Sequence, residues 1–529
     1  MHATKSACWL LLGLLGGNAS ATTFTVTNNG DNGGIDPAPN AGTGTLRQAI
    51  VDANAAGGSN QINFAIAGSG THTITLAYPH QLPGISNSLL INGSTQSGTV
   101  LNTNAPDQGG LTTQLMIQID GAGNTYGFYV SGNYSVGIEH LVMNGFSGTA
   151  ISGDPSHTGS SLMVRGCFIG MQPDGTAFPS GYGNDGVAIR PGVSQTQIGG
   201  TLPGERNLIS GNRGGGIYMS EPAPTTVVIE GNLIGIDASG TVAVGNGSAS
   251  NWPGIVLPGN FPNIRVGCSG SACNSAASRN IISGNHTYGI GIWDTYGHGS
   301  GGLEIKGNFI GTDWTGTKPV ANGDGNSAYP AYSGGIQLQG SPSTATSASI
   351  IGGLGFGEAN LIAFNNGPGI RTPMNYVGES FDSRANEIHH NRGGADIDLG
   401  ALGPTPNDSG DADAGANNGQ NAPEIVSASI TGSFVHTLNV TYRVDSATAN
   451  SAYPLRIDFY ADVHGGSGAY IGQDTYTAAD KVAGNKSIQL TPVPSGVPGI
   501  PFVTTATDAN GYTSEFTAAY DVIFEDDFE

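Results

Sequence analysis

Charge is what this sequence lacks most. Only 11% of its 529 residues are charged, and 17 Lys and Arg face 39 Asp and Glu, a formal net charge of −22. So few cations exclude the basic footprint that nucleic acid requires. A polyanionic sugar would need a local basic groove against that field, whereas a neutral glycan would not. Long apolar runs are missing too. After residue 21 none approaches the ~18 residues of a membrane-crossing helix, so no transmembrane segment is expected in the mature chain. The glycines follow no G-X-Y period, which excludes collagen. Low charge with 37% hydrophobic residues does not fit a charged disordered chain.

Cysteine is also scarce, with four residues. Cys8 falls in MHATKSACWLLLGLLGGNASA, which reads as a secretory signal: Lys5, a short apolar run over 7–15, and the small-residue site Ala19-Ser20-Ala21. Cleavage after Ala21 is expected, giving an exported, soluble chain. Cys268 and Cys273 in CSGSAC are close enough for a loop disulfide. The alternative, zinc, would need two further ligands, and none stands nearby.

What the chain has in excess is glycine, 87 of 529 residues, about 16% and roughly twice the usual share. Gly and Asn between short apolar runs signal tight turns between short strands. One helix stands out, TLRQAIVDANAA, with Thr45 and Gln48 as a capping box and Leu46, Ile50 and Ala53 on one apolar face. The chain divides into a signal (1–21), an N-terminal cap with first coils (22–110), a repeating region (111–402), an acidic linker (403–421), a strand-rich domain (422–520) and a tail (521–529).

The repeating region carries N-x-I at Asn207, Asn232, Asn280, Asn308, Asn360 and Asn386, with Cys167 in the same place in RGCFIG. The intervals are 40, 25, 48, 28, 52 and 26 residues. Read as single and double lengths, they predict nine coils of about 24 residues, with the missing rungs at GVAIRPG (Gly186), GIVLPG (Gly254) and GIQLQG (Gly335). A unit that short, without a helix, buries its apolar face only by stacking in parallel on its copies. The expected fold is therefore all-β, a right-handed parallel β-helix (a single-stranded solenoid), with a rod of roughly 43 Å from this stretch at ~4.8 Å per coil. The Thr45 helix would cap its first coil. The asparagines are expected to stack as interior rungs, with Cys167 as a tolerated small residue. Residues 422–520 offer about seven strands and a hairpin turn at Asn510-Gly511, an Ig-like β-sandwich.

The entry segment FTVTNNGDNGG…GTLRQAIVDANA resembles the N-terminal segment of secreted bacterial right-handed β-helix proteins that carry a C-S-L-R-E-A-I motif. Here it reads Gly44-Thr45-Leu46-Arg47-Gln48-Ala49-Ile50. NLIGIDASGT, RNLISGN and NDSGDADAGANNGQNAP are similar to the same family. The resemblance spans roughly residues 22–425 and implies a pectate-lyase-like fold and secretion. The terminal IFEDDFE is similar to short sorting tails of secreted Gram-negative proteins.

Candidate sites follow from residue type. Asp237 and Asp313 precede Gly-Thr in aligned loops and read as turn-formers, since three coils would separate them by roughly 14 Å. Secreted polygalacturonases share the fold and carry G-H-G and R-I-K. GIGIWDTYGHGSGGLEIKGN is similar in part, making Asp294, His298 and Glu304 a candidate acid–base group. A lyase would need clustered carboxylates for Ca²⁺ with an Arg or Lys base; Arg190, Arg206, Arg279 and Arg371 are present, but no tight Asp cluster lies at coil spacing. Trp252, Trp293, Tyr296 and Trp314 fall in or beside loops and form a candidate glycan strip; the alternative is that they cover the rod's apolar flank. In the linker, Asp408, Asp411, Asp413 and Asn417 offer hard oxygens for a structural Ca²⁺, against a merely solvated acidic segment. The expectation is a secreted or surface protein of a Gram-negative bacterium, monomeric, that binds a polysaccharide or cell-surface glycan without catalysis. The alternatives are a polysaccharide lyase or glycoside hydrolase, and a structural spacer.

Overall fold

The computed structural model describes residues 21–33, 42–153, 159–177, 185–189, 193–220, 226–248, 252–258, 263–293, 302–324, 333–339, 348–373, 380–432, 435–463, 466–493 and 501–524. Three long sheets run through it, and the chain visits them in rotation. The first face stacks eleven strands from Thr23–Val26 to Phe381–Arg384, all parallel. The second begins at His72–Thr75 and reaches Glu387–His389. The third stacks nine strands from Tyr126–Val130 to Ile397–Gly400. This is the arrangement of a parallel β-helix. Inward Ile, Val and Leu from all three faces make one continuous core, with Ile209, Ile217, Ile229, Ile234 and Ile255 fully buried. No helix among the described residues is long and apolar enough to cross a membrane.

The coil count differs from the expectation. Phe168 pairs with Leu208, Leu208 with Leu233, Leu233 with Ile281, Ile281 with Phe309, Phe309 with Leu361, and Leu361 with Glu387. Six steps therefore separate Cys167 from Asn386, not nine, and the stretch rises roughly 29 Å at ~4.8 Å per step. The stretches at Gly186, Gly254 and Gly335 are not missing rungs. They lead into third-face strands of the same long coils, Val187–Ile189, Ile255–Pro258 and Gly334–Gln339. Their Gly-then-apolar pattern mimics the second-face phrase, so periodicity alone could not separate them. Asp237 and Asp313 are accordingly two coils apart. Each closes its own turn: Asp237 accepts from the Thr241 and Val242 amides, Asp313 from those of Thr317 and Lys318.

The asparagines form two ladders. In the first, each Nδ2 donates to the Oδ1 of its copy one coil on: Asn207 to Asn232, Asn232 to Asn280, Asn280 to Asn308, Asn308 to Asn360 and Asn360 to Asn386, at 2.9–3.1 Å. Each also donates to a backbone carbonyl of the preceding coil, such as Ile229 for Asn280. Cys167 heads the ladder, its N–H donating to Asn207. Its thiol is sealed in, and burial pushes it up to about 12. The second ladder runs Asn212, Asn246, Asn285, Asn322, Asn365 and Asn391. The arginine of RNLISGN is structural as well. Arg206 is buried and donates to the carbonyls of Asn104 and Gly109, and Arg279 lies over the Phe309 ring at 4.0 Å.

Both ends of the rod are closed. The helix Leu46–Ala55 buries Leu46, Ala49, Ile50 and Ala53, and Thr45 accepts from the Gln48 amide. Gln48's side chain turns forward to Asp52, so the reciprocal bond of a capping box is not the one it makes. Buried Arg47 binds Asp31 through two nitrogens and donates to the carbonyls of His80 and Gln81, tying three segments together. At the far end Gly466–Tyr476 pairs antiparallel with Glu387–His389, so the C-terminal region continues the second sheet. That region packs a three-stranded and a four-stranded sheet around one core of Ile430, Val440, Ile457, Phe459 and Phe502. Arg456 joins it to the last coil through Asp382 at 2.8 Å. Cys268 and Cys273 form a disulfide.

The ladders yield a direct expectation. Asn280→Ala strands buried groups on two neighbouring coils, each costing about 1–3 kcal/mol. Urea unfolding should show a loss of about 3 kcal/mol, while a loss below about 0.5 kcal/mol would mean the ladder contributes little.

Candidate functional site

The third face turns a row of residues away from the core, of which Tyr218 is half-buried and the other five are buried. Ile217, Ile255, Ile290, Ile336, Ile370 and Ile397 point into the core. Because strand side chains alternate, the residue after each points outward. The parallel register sets Tyr218 beside Val256, then Gly291, Gln337, Arg371 and Asp398. Five steps of ~4.8 Å make a row roughly 24 Å long.

Aromatic rings gather at its upper end. The Tyr218 and Trp252 rings are 4.7 Å apart, and Trp252 meets Trp293 edge-on at 5.6 Å. Trp293 donates its indole N–H to Gln337 Oε1 at 3.1 Å. Gly291 makes that fold-back possible: a Cβ there would sit 2.6 Å from Pro253 Cγ and 2.9 Å from the Trp293 indole nitrogen. All three rings are half-buried. At the lower end Arg371 and Asp398 are both buried. Arg371 Nε and Nη1 and Asp398 Oδ1 have no hydrogen-bond partner, while Asp398 Oδ2 accepts from the Gly403 amide. Burial lifts Asp398 to about 6, with Gly403 and Arg371 pulling the other way.

The expected site residues are dispersed. Trp252 and Trp293 come together. Trp314 lies elsewhere, half-buried in an apolar layer over the second face with Phe168, Leu233 and Ile236. Glu304 belongs to a charged ladder on the first face, where it binds Lys306 at 3.1 Å and stands beside Arg265, itself paired with Glu230. Asp294, Tyr296 and His298 lie outside the described residues. Asp408, Asp411 and Asp413 offer oxygens within 4.8 Å of one another. As a cation site the set fits only in part. Asp411 is buried and its carboxylate accepts from Ser446, Ser451, Gln420 and the Asn421 amide. Asn417 is also engaged, accepting from the Phe381 N–H and donating to the carbonyls of Phe381 and Thr513. Residues 403–421 thus join the last coil to the C-terminal strands.

Sequence reasoning missed Tyr218, Gln337 and Asp398 and left Arg371 as one scattered arginine. The signal was available: aligning GIY, GIV, GIG, GIQ, GIR and DID column by column brings all six row positions into one column. Comparison with protein-family models finds no match, and comparison with curated proteins finds none either.

Beyond the row, the junction with the C-terminal strands holds a cavity of about 250 Å³, lined by residues including Leu399, Thr405, Asp413, Gln420, Glu515 and Phe516. Glu515 accepts from the Leu399 and Thr405 amides. Asp396 accepts from Asn391, the last rung of the second ladder, and abuts Gly466. Burial lifts both carboxyls to about 7. Folding therefore favours their protonated forms, and that stability, complete below the ordinary carboxylate range, is lost as pH rises through about 7. The thermal midpoint should fall by roughly 5 °C between about pH 4.5 and 7.5. Asp396→Asn with Glu515→Gln should flatten the slope; a wild-type midpoint that rises across this window would contradict the assignment.

Proposed function

We propose that this is a secreted or surface-exposed β-helix protein of a Gram-negative bacterium that binds glycan along its third face without transforming it. The observation that carries this reading is the convergence of Tyr218, Trp252 and Trp293 on one outward face, with Gln337 fixed beside them. Half-buried aromatic faces stack on the C–H faces of sugar rings. The N-terminal segment supports export through its likeness to the secreted β-helix proteins with a C-S-L-R-E-A-I motif, and buried Arg47 gives that motif's arginine a structural purpose. The coils are taken as right-handed on the general preference of parallel crossovers. The C-terminal domain is read as Ig-like: after two packed sheets, the chain at Thr517 and Tyr520 returns antiparallel to Phe502–Thr507 and then joins Glu424–Thr431 in parallel.

One observation favours a second reading, a polysaccharide-active enzyme. Arg371 and Asp398 are register neighbours on the same face, both buried with polar atoms lacking partners, and burial lifts Asp398 to about 6. Incubation with a polysaccharide panel separates the two. Binding predicts retention with no release of unsaturated or reducing ends, and a loss of at least about tenfold in affinity for folded Trp252→Ala/Trp293→Ala. Release of new ends that Asp398→Asn abolishes would establish the enzyme instead. Retention unchanged in the double variant would remove the aromatic strip from the account.

A further inference from the structure

We infer that the ligand of the third face is a neutral polysaccharide, not a polyuronate or other acidic glycan. This rests on the glycan reading above and assigns the charge class of the sugar.

The argument is the sorting of charge among faces. The first face collects ions: Arg165 with Glu205 at 2.8 Å, Arg265 with Glu230 at 3.1 Å, and Lys306 with Glu304 at 3.1 Å. Each of these charges has a partner of opposite sign, so the three pairs offer a ligand little unpaired charge. Among the described residues of the third-face row the first four positions, Tyr218, Val256, Gly291 and Gln337, are uncharged, as are Trp252 and Trp293 beside them. Charge enters only at the last two positions, as one cation and one anion side by side. A polyuronate carries a carboxylate on every unit. Laid along this row it would meet no cation among the described residues of the first four positions, and Arg371 is buried beside Asp398. It would also approach a chain of net charge −22. Desolvating an unpaired carboxylate costs several kcal/mol, more than one shared arginine returns. A neutral sugar pays none of this. Its ring faces stack on Trp252 and Trp293, and its hydroxyls both donate and accept.

The test is affinity of the full mature chain for immobilised mannan and glucan against polygalacturonate, at about 50 and about 500 mM salt. Neutral-glycan affinity should change less than about twofold with salt, since stacking and neutral hydrogen bonds are unscreened. Trp293→Phe with Gln337→Ala should weaken it at least about tenfold, while Trp314→Ala, on another face, should leave it unchanged. Tighter binding to polygalacturonate than to either neutral glycan, falling about tenfold or more with salt, would overturn the inference yet leave glycan binding standing. Retention on none of the three would remove the glycan reading itself. The salt comparison uses wild-type protein, so it decides the question even if a variant fails to fold.

Discussion

A buried asparagine amide bonded to its own copy one coil away is the contact on which the rest of this molecule depends. Each such amide turns the chain at a corner, satisfies a backbone carbonyl of the coil before and passes a hydrogen bond to the coil after. An interior with this little charge has few other ways to satisfy backbone at a corner. Two ladders at two corners hold successive coils in register, and register is what lines outward residues into rows. The aromatic strip on the third face exists because strands Ile217–Met219, Ile255–Pro258, Tyr288–Trp293 and Gly334–Gln339 are held in register by these corners.

A stack of parallel strands has two raw ends, and each is closed with buried polar residues. Arg47 and Asp31, both nearly sealed from solvent, clamp the first coil. At the other end Asn417 stands in for the next rung, binding both the N–H and the carbonyl of Phe381, and Ser467 takes up the Ile388 amide. The closure buries Asp396 and Glu515, and burial favours their protonated forms, so this end is pH-sensitive. One interruption in either clamp would expose strand edges ready to pair with another chain.

Much of the fold was legible because it repeats. N-x-I identified the second face, and Thr45 with Leu46, Ile50 and Ala53 identified the capping helix. The number of coils was not legible, since the Gly-then-apolar phrases at Gly186, Gly254 and Gly335 look alike on either face and only pairing partners separate them. Arg47 resisted for a different reason: its partner Asp31 is sixteen residues away and nothing local marks the pair. Of the candidate site, residue type drew in Trp252, Trp293 and Trp314 alike, and only the first two come together in the fold. The difference between them is which face the strand or loop presents. Asp398 and Arg371 stayed hidden because they are neighbours only across coils, and just the column alignment of GIR with DID sets them side by side.

The central claim is that the asparagine-stacked rod is scaffold and its third face is the working surface. Hydrogen-exchange mass spectrometry with and without a saturating neutral glycan tests this most directly, because it reports which strands the ligand covers. The account predicts added protection in peptides containing residues 217–219, 255–258, 288–293 and 334–339, and none over 226–230, 264–267 and 303–306 of the first face. Protection confined to the first face, or to the C-terminal sheets, would contradict it.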